Sequence, residues 1–289
     1  MQITRQSLFD SAMLQIGLFE ARGVSDRCGD VERQNRNALV LPLAGVFAKH
    51  DAPSRQAIGT PSHAVFVAAD TPYRISYPGG IGDRALIMRF GDELAPELLD
   101  RRGAPALASN GLLPPPAMML RNLLRTRLGR DDVDDFEIEN IGLDLLRASF
   151  GAMRRETAGL RASALTRRTR ALQRVKEAIA VAPSDKWNVA RLAKLANLSP
   201  FHLCHVFRQM AGTSIYDYVL QERLAQTLDA VLDGDDDLTT IALDAGFSSH
   251  SHFTARFRSF FGCTPAALRR SANGARIADL RKIVTAQPH

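Results

Sequence analysis

Residues 241–269 read IALDAGFSSHSHFTARFRSFFGCTPAALR, and this stretch decides how the last third of the chain folds. Ile241 and Ala242 open a short helix in which a small side chain lets a second helix cross closely. Gly246 suits the end of that helix, because glycine takes a left-handed backbone without steric cost. Ser248 or Ser249 is placed to cap the next helix. On that helix Phe253, Phe257, Phe260 and Phe261 fall at helical spacing and form a buried stripe, closed by Gly262. A short helix, a tight turn and a longer amphipathic helix are the parts of a helix-turn-helix unit.

The same grammar occurs once before, and internal repetition is evidence that a unit has been built twice. Leu192-Ala193-Lys194-Leu195-Ala196-Asn197-Leu198-Ser199 aligns with Ile241 to Ser248 at a separation of 49 residues. Leu203, Phe207, Arg208 and Gly212 align with Phe253, Phe257, Arg258 and Gly262 at a separation of 50. Ser199-Pro200 is an N-cap followed by proline at the first helical position. In the first long helix Leu203, Val206, Phe207 and Met210 form the inner stripe. Phe201, His202, Cys204, His205 and Arg208 are left outside, as are His250, Ser251, Thr254, Ala255 and Arg258 in the second. An α-helix of this kind fits the major groove, where each base pair shows a distinct edge pattern. Between the copies, Ile215 to Leu232 keeps Val219, Leu220, Leu224, Leu228 and Val231 on one face and would hold the two units at a fixed separation. Two rigidly joined units suit successive turns of one duplex, about 34 Å apart.

Together these residues resemble the tandem helix-turn-helix domain of the AraC/XylS family of transcription regulators, over about Ala171 to Arg270. The matches are Ile241-Ala242, Gly246-Phe247, His252-Phe253, Phe257-Arg258, Gly262 and Thr264-Pro265. Cys204 and His205 stand where that family often has Ser and Arg, and Ala255 where it often has Arg. The resemblance implies a sequence-specific DNA-binding regulator, an activator working with RNA polymerase on double-stranded promoter DNA. It assigns base reading to Phe201, Cys204, His205, His250, Ser251 and Thr254, and phosphate contact to Arg208, Arg258 and Arg269. The alternatives are that Phe201 covers the turn and that His202 and His252 only pack their helices.

Charge agrees with this division of labour. Residues 161–289 carry 18 Lys+Arg against 11 Asp+Glu, whereas the whole chain has 37 against 31, so the excess positive charge lies in the C-terminal part. A basic module beside a near-neutral one suits a polyanion partner. Cys28, Cys204 and Cys263 are too few and scattered for a disulfide framework or a metal knuckle, and are expected as reduced thiols. The longest apolar stretch, Ala38 to Ala48, is broken by Pro42 and Gly45 and falls short of the roughly 20 residues that cross a bilayer. The first residues lack the pattern of a secretory leader. A cytoplasmic protein is expected.

The first 160 residues read differently. LQIGLFEAR from Leu14, ALVLPLAGVFAKH from Ala38, HAVFVAA from His63, YRISYP from Tyr73 and RALIMRF from Arg84 are short apolar runs separated by turn residues. Such runs predict antiparallel strands of a barrel or sandwich. Pro114-Pro115-Pro116 breaks the pattern, and helices follow within residues 117–156: Met118 to Leu128, then Phe136 to Met153 with Ile138, Ile141, Leu145, Leu146 and Phe150 in register. Asp131 to Asp135 is expected to supply the turn and N-cap between them. The basic, small-residue segment Arg154 to Arg168 reads as a linker or a frayed helix end. The predicted organisation is therefore α+β: a domain at 1–160, then an all-α domain at 161–289 with its core at 169–270.

The strand-rich part resembles the cupin-like sensor domain of that regulator family, best over HAVFVAADTPYRISYP. This implies a small-molecule effector and a homodimer through helix 136–153, although the same apolar stripe would serve equally to pack on its own barrel. Tyr73, Arg74 and Tyr77 are the candidate effector residues, with exposed edge-strand surface as their alternative fate. The competing function is a metal-dependent cupin enzyme with a helical interaction tail. Cupin metals need clustered His and carboxylate ligands, and the strands offer only His50 and His63, the latter also readable as a structural histidine. No GxGxxG, P-loop, GxSxG or HExxH pattern is present, so neither a metal nor a cofactor is expected.

Overall fold

Strand formation in the N-terminal part follows from alternation, and two sheets result. A computed structural model describes residues 2–52, 55–91, 93–99, 110–128, 134–158, 165–234 and 236–274. The strands are β1 (Gln2–Asp10), β2 (Leu14–Arg22), β3 (Asn37–Gly45), β4 (Phe47–Ala52), β5 (Arg55–Gly59), β6 (His63–Val67), β7 (Arg74–Ser76), β8 (Asp83–Phe90) and β9 (Asn110–Leu112), with a short helix α1 (Ala95–Leu98) between the last two. A six-stranded sheet has the order β1-β2-β8-β3-β6-β9, and a three-stranded one β5-β4-β7, every pairing antiparallel.

The larger sheet is covered on both faces. Leu39, Leu41 and Leu43 of β3 and Leu86, Met88 and Phe90 of β8 pack under helices, while Ala38 and Val40, with Ile87, face the smaller sheet through Tyr73 and Ile75. Two buried faces explain why ALVLPLA is apolar almost throughout instead of alternating with polar residues.

The covering helices are α2 (Pro115–Leu128) and α3 (Asp135–Ala158). The proline run does not precede α2 but enters it: Pro115 and Pro116 occupy its first turn, where the missing N–H has no intrahelical partner to lose. Of the expected acidic turn, Asp134 accepts from Phe136 N at 3.0 Å and caps α3; residues 131–133 lie outside the described residues. Ile138, Ile141, Leu145, Leu146, Phe150 and Met153 of α3 are all buried in the chain's own core. Gly142 lets α3 approach β2, since a Cβ there would stand 2.4 Å from Leu14 Cδ2. The apolar stripe of α3 is thus used internally, and its outward face carries Phe136, which is exposed.

The C-terminal part is all helical: α4 (Leu165–Val181), α5 (Val189–Ala196), α6 (Pro200–Ala211), α7 (Ile215–Asp233), α8 (Leu238–Asp244), α9 (His250–Phe261) and α10 (Pro265–Gly274). The expected domain boundary near residue 160 lies outside the described residues. Most of the segment read as a linker is nonetheless helical, since α3 runs to Ala158 and α4 starts at Leu165.

The sheets and the helical part share an interface built around α7. Asp229 ion-pairs with Arg84 of β8, accepts from Asn122 Nδ2 at 2.9 Å and stands 3.1 Å from Arg125 Nε of α2. Asp233 pairs with Arg125. About two turns nearer the start of α7, the fully buried Glu222 accepts hydroxyl hydrogen bonds from Ser62 (2.6 Å) and Thr60 (3.1 Å), with His63 Nδ1 at 3.6 Å. Burial, then the charge of Lys176, holds the His63 imidazole well below its ordinary value and therefore neutral.

Candidate nucleic-acid interface and ligand pocket

The two units are built by the same local devices. Ser199 Oγ accepts from His202 N at 3.3 Å and Ser249 Oγ from His252 N at 3.1 Å, so each second helix begins on a serine cap, and of the two candidates Ser249 is the one used. Gly212 (φ 69°) and Gly262 (φ 78°) end α6 and α9 in the left-handed conformation. Leu203, Val206 and Phe207 of α6 and Phe253, Phe257 and Phe261 of α9 are buried. This leaves the opposite faces to solvent.

Phe201 is 86% exposed, an unusual placement for a large aromatic ring, so it does not cover the turn. Cys204, His205 and Arg208 are exposed beside it on α6. On α9, His250, Ser251 and Arg258 are exposed and Thr254 half-buried, its Oγ1 3.4 Å from His250 Nε2. His252 is turned inward: its ring meets Phe247 edge-on with centroids 5.6 Å apart, and Nδ1 lies 3.1 Å from Ser248 Oγ. It packs the turn; His202, its counterpart in the first unit, is half-buried.

Arg269 differs from the other two arginines assigned to phosphate. Its guanidinium donates to Val231 O (3.0 Å), Asp236 O (2.9 Å) and Ala230 O (3.2 Å), so it tethers α10 to the carbonyl end of α7. Arg223 and Arg174, which the sequence reading did not single out, are likewise spent on carbonyls. Exposed Arg256 was also passed over; it lies 5.8 Å from the Tyr216 ring. Nothing in the sequence pattern distinguishes an arginine that binds a backbone oxygen from one that binds a phosphate.

Residues 192–271 match the model of a helix-turn-helix domain family. They are an AraC/XylS-type DNA-binding domain. The segment is 32% identical over 80 residues to the probable transcription factor PqrA of Proteus vulgaris, covering 28% of this chain and 66% of that one. It is 30% identical over 83 residues to the virulence regulon transcriptional activator VirF of Yersinia enterocolitica, covering 29% and 31%. Less than two thirds of either relative's length is therefore matched. The crystal structure of ToxT from Vibrio cholerae O395 aligns over 92% of this chain and 100% of that one, at 11% identity and a TM-score of 0.36, a likeness too slight to argue from. The matched AraC/XylS-type domain belongs to transcription regulators and not to enzymes.

A pocket of about 660 Å³, its open mouth included, lies between the two sheets. Tyr73 and Tyr77 line it, but Arg74 does not: the exposed Arg74 donates to Gly29 O at 2.9 Å. In its place the pocket has Arg5 of β1 and Arg89 of β8, above a floor that includes Val40, Val67 and Ile87. Gln34 Nε2 donates to the Tyr73 hydroxyl at 2.9 Å, and that hydroxyl donates to Glu32 Oε2 at 3.2 Å. Asp83 also lines the pocket; its Oδ1 is buried without a hydrogen-bond partner, and burial pushes the carboxyl up to about 7. Alternation along β8 could have pointed to Asp83 and Arg89, since both share the inward face with Ile87.

Among the described residues no group of three or more His, Cys, Asp or Glu side chains is placed to hold a metal ion. His63 is committed to Thr60 (Nδ1 to Oγ1, 2.8 Å) and the Glu222 cluster, which is the structural reading. Cys28 and Cys204 are exposed free thiols, and Cys263 is a half-buried one. Among the described residues no helix is long and apolar enough to cross a membrane.

Proposed function

We propose that this chain is a sequence-specific transcription regulator that reads two adjacent major-groove segments of one duplex with α6 and α9. The supporting observation is the repeated exposure: each unit buries one face of its second helix and leaves the start of the other face open, on two units joined by α7. Phe201, Cys204 and His205 then meet base edges in one segment, and His250, Ser251 and Thr254 in the other. Arg208 and Arg258 contact phosphates; Arg269 acts through α7 instead. Activation together with RNA polymerase is the sign of regulation we assign, as the relative VirF is named an activator. The domain assignment, 1–160 for sensing and 161–289 for DNA, belongs to the same reading.

The pocket between the sheets takes a small-molecule effector through Tyr73, Tyr77, Arg5, Arg89 and Asp83. Footprinting the full chain on DNA upstream of its own gene, at two salt concentrations, tests the DNA reading. Two protected patches about one turn apart that fade with salt are expected, because each neutralised phosphate releases counterions. No protection at either salt would overturn it. His250→Ala should change base preference, and Arg258→Ala should weaken all sequences alike.

A further inference from the structure

A single side chain, Arg223, joins three parts of the DNA-binding domain that the sequence presents as separate. It projects from α7, the connecting helix, and is half-buried. Its Nε donates to Pro183 O at 2.7 Å and its Nη2 to Asp185 O at 2.8 Å, with Ser184 O at 3.5 Å; these carbonyls lie on the connection between α4 and α5, in the first unit. Its Nη1 donates to Gly246 O at 2.8 Å, in the turn between α8 and α9 of the second unit. The planar guanidinium presents donors in a fixed fork, a geometry that a lysine ammonium lacks.

The backbones it joins are in direct contact. Gly246 has φ +80°, and a Cβ built there would stand 2.6 Å from Ser184 O. The glycine that closes the second unit's first helix is thus also where the two units touch, and Arg223 bonds across that seam. Burial holds its guanidinium below the usual range, and the acceptors it bonds are neutral carbonyls. Such a group is kept by geometry rather than by charge pairing.

We infer that Arg223 is a positioning residue for DNA recognition: it fixes the distance and angle between α6 and α9, and so sets which spacing of two half-sites the chain accepts. The inference rests on the proposal that both units grip one duplex. One added base pair moves the second half-site by about 3.4 Å and rotates it by about a tenth of a turn. A rigid pair of readers cannot follow that change, and a loosened pair can.

The test uses the full chain and duplexes recovered by selection from a random-sequence pool, rebuilt with one base pair inserted or removed between the two protected segments. The wild type should lose about 10–100-fold in affinity on the altered spacing, the scale of a misplaced contact set. Arg223→Ala and Arg223→Lys should bind the original spacing more weakly yet lose less than about threefold on changing it, since the two readers then adjust independently. Arg174→Ala is the control: its guanidinium bonds Leu195 O (3.1 Å) and Ala196 O (3.3 Å) within the first unit alone. That variant should lose affinity and keep the full dependence on spacing. Should Arg223→Ala not fold, Arg223→Lys and Gly246→Ala disturb the same seam. Overturning results are Arg223 variants that discriminate spacing as the wild type does, or an Arg174→Ala that relaxes it equally. A wild type indifferent to spacing would instead bring down the two-unit reading itself, and the two failures are told apart by that arm.

Discussion

The two helix-turn-helix units share a grammar but not a core. The first closes on a smaller, separate cluster, in which Leu172, Val175 and Ile179 of α4 meet Leu192, Leu203, Phe207 and Tyr218, with Leu112 of β9 against its edge. The second has no separate core: Phe253, Phe257, Phe261 and Leu268 are continuous with Leu224, Leu228 and Val231 of α7, and through α2 with the strands. Repetition of sequence therefore coexists with a difference in attachment. One unit is held by α7 and by α4, whose Ala180 and Val181 pack on Val46, between β3 and β4, and on Ile58 of β5, whereas the other shares the main core.

The largest expected effect is from aromatic truncation. Phe257→Ala should cost about 3–5 kcal/mol and lower the stability of β3 and β8 together with α9, because they pack in one cluster. Phe207→Ala should cost a similar amount, about 3–5 kcal/mol, but open the first unit alone. Hydrogen exchange resolved along the chain checks this. If Phe257→Ala leaves the amides of β3 and β8 as protected as before, the shared core is contiguous only geometrically.

Next in size is the charged seam. Asp229 is buried and serves Arg84, Arg125 and Asn122, so Asp229→Ala should destabilise by roughly 2–4 kcal/mol, largely by stranding the arginines. The first unit's pair, Arg191 with Asp185 at 3.0 Å, is half exposed on both sides. Asp185→Ala should cost less than about 1 kcal/mol. Denaturant midpoints of the two variants measure the contrast, and equal losses would remove it.

How much of this was legible in the sequence depends on where each signal resides. The repeat was fully legible, since caps, glycines and stripe are local. The runs from Leu14, Ala38, His63, Tyr73 and Arg84 also mark strands, their apolar character reflecting burial, but the single run from Ala38 holds two strands, β3 and β4, in different sheets. β1 was missed: QITRQSLFD is an edge strand with mostly exposed side chains and makes no apolar run. β5 (RQAIG) and β9 (NGL) were missed because neither holds an apolar run. The pocket between the sheets was half legible. Tyr73 and Tyr77 were found by residue type, but Arg5 lies on the missed strand. Arg74 was named and Arg89 was not: alternation puts Arg89 on one face with Ile87, but which face meets the smaller sheet depends on how the strands pair. Arg269 illustrates the same limit on a helix, where an arginine's target is a tertiary fact. The charge excess of the C-terminal part also overstated its free cations, because Arg174, Arg223 and Arg269 are engaged internally.

A third effect sharpens the comparison through pH. Asp83 is pushed up to about 7 by burial. A carboxyl whose folded value is raised stabilises the fold below its unfolded value and loses that contribution as pH rises toward 7, so above that the ionised form is a cost. Asp83→Asn should then be more stable than the wild type at pH 8, by roughly 2 kcal/mol after relaxation, with the difference gone near pH 4. If the second unit belongs to the same body, its α9 amides should show this gain and the α6 amides should not.

The smallest effect isolates attachment from local structure most cleanly. Ser199 and Ser249 make the same cap at the same place in the two units, so each serine-to-alanine change should remove about 1 kcal/mol from its own helix. The local cost is matched; the consequences should not be. In the first unit the loss falls on a small core and should appear as fraying of α6, with weaker DNA binding. In the second, α9 is held by the large cluster, so its start should fray less and affinity should fall less. Exchange at the first-turn amides of α6 and α9, read with DNA affinity for both variants, measures this. Equal fraying in the two would mean that a recognition helix is held by its own cap and turn, and that attachment to the sheets contributes nothing to the order of the surface that meets DNA.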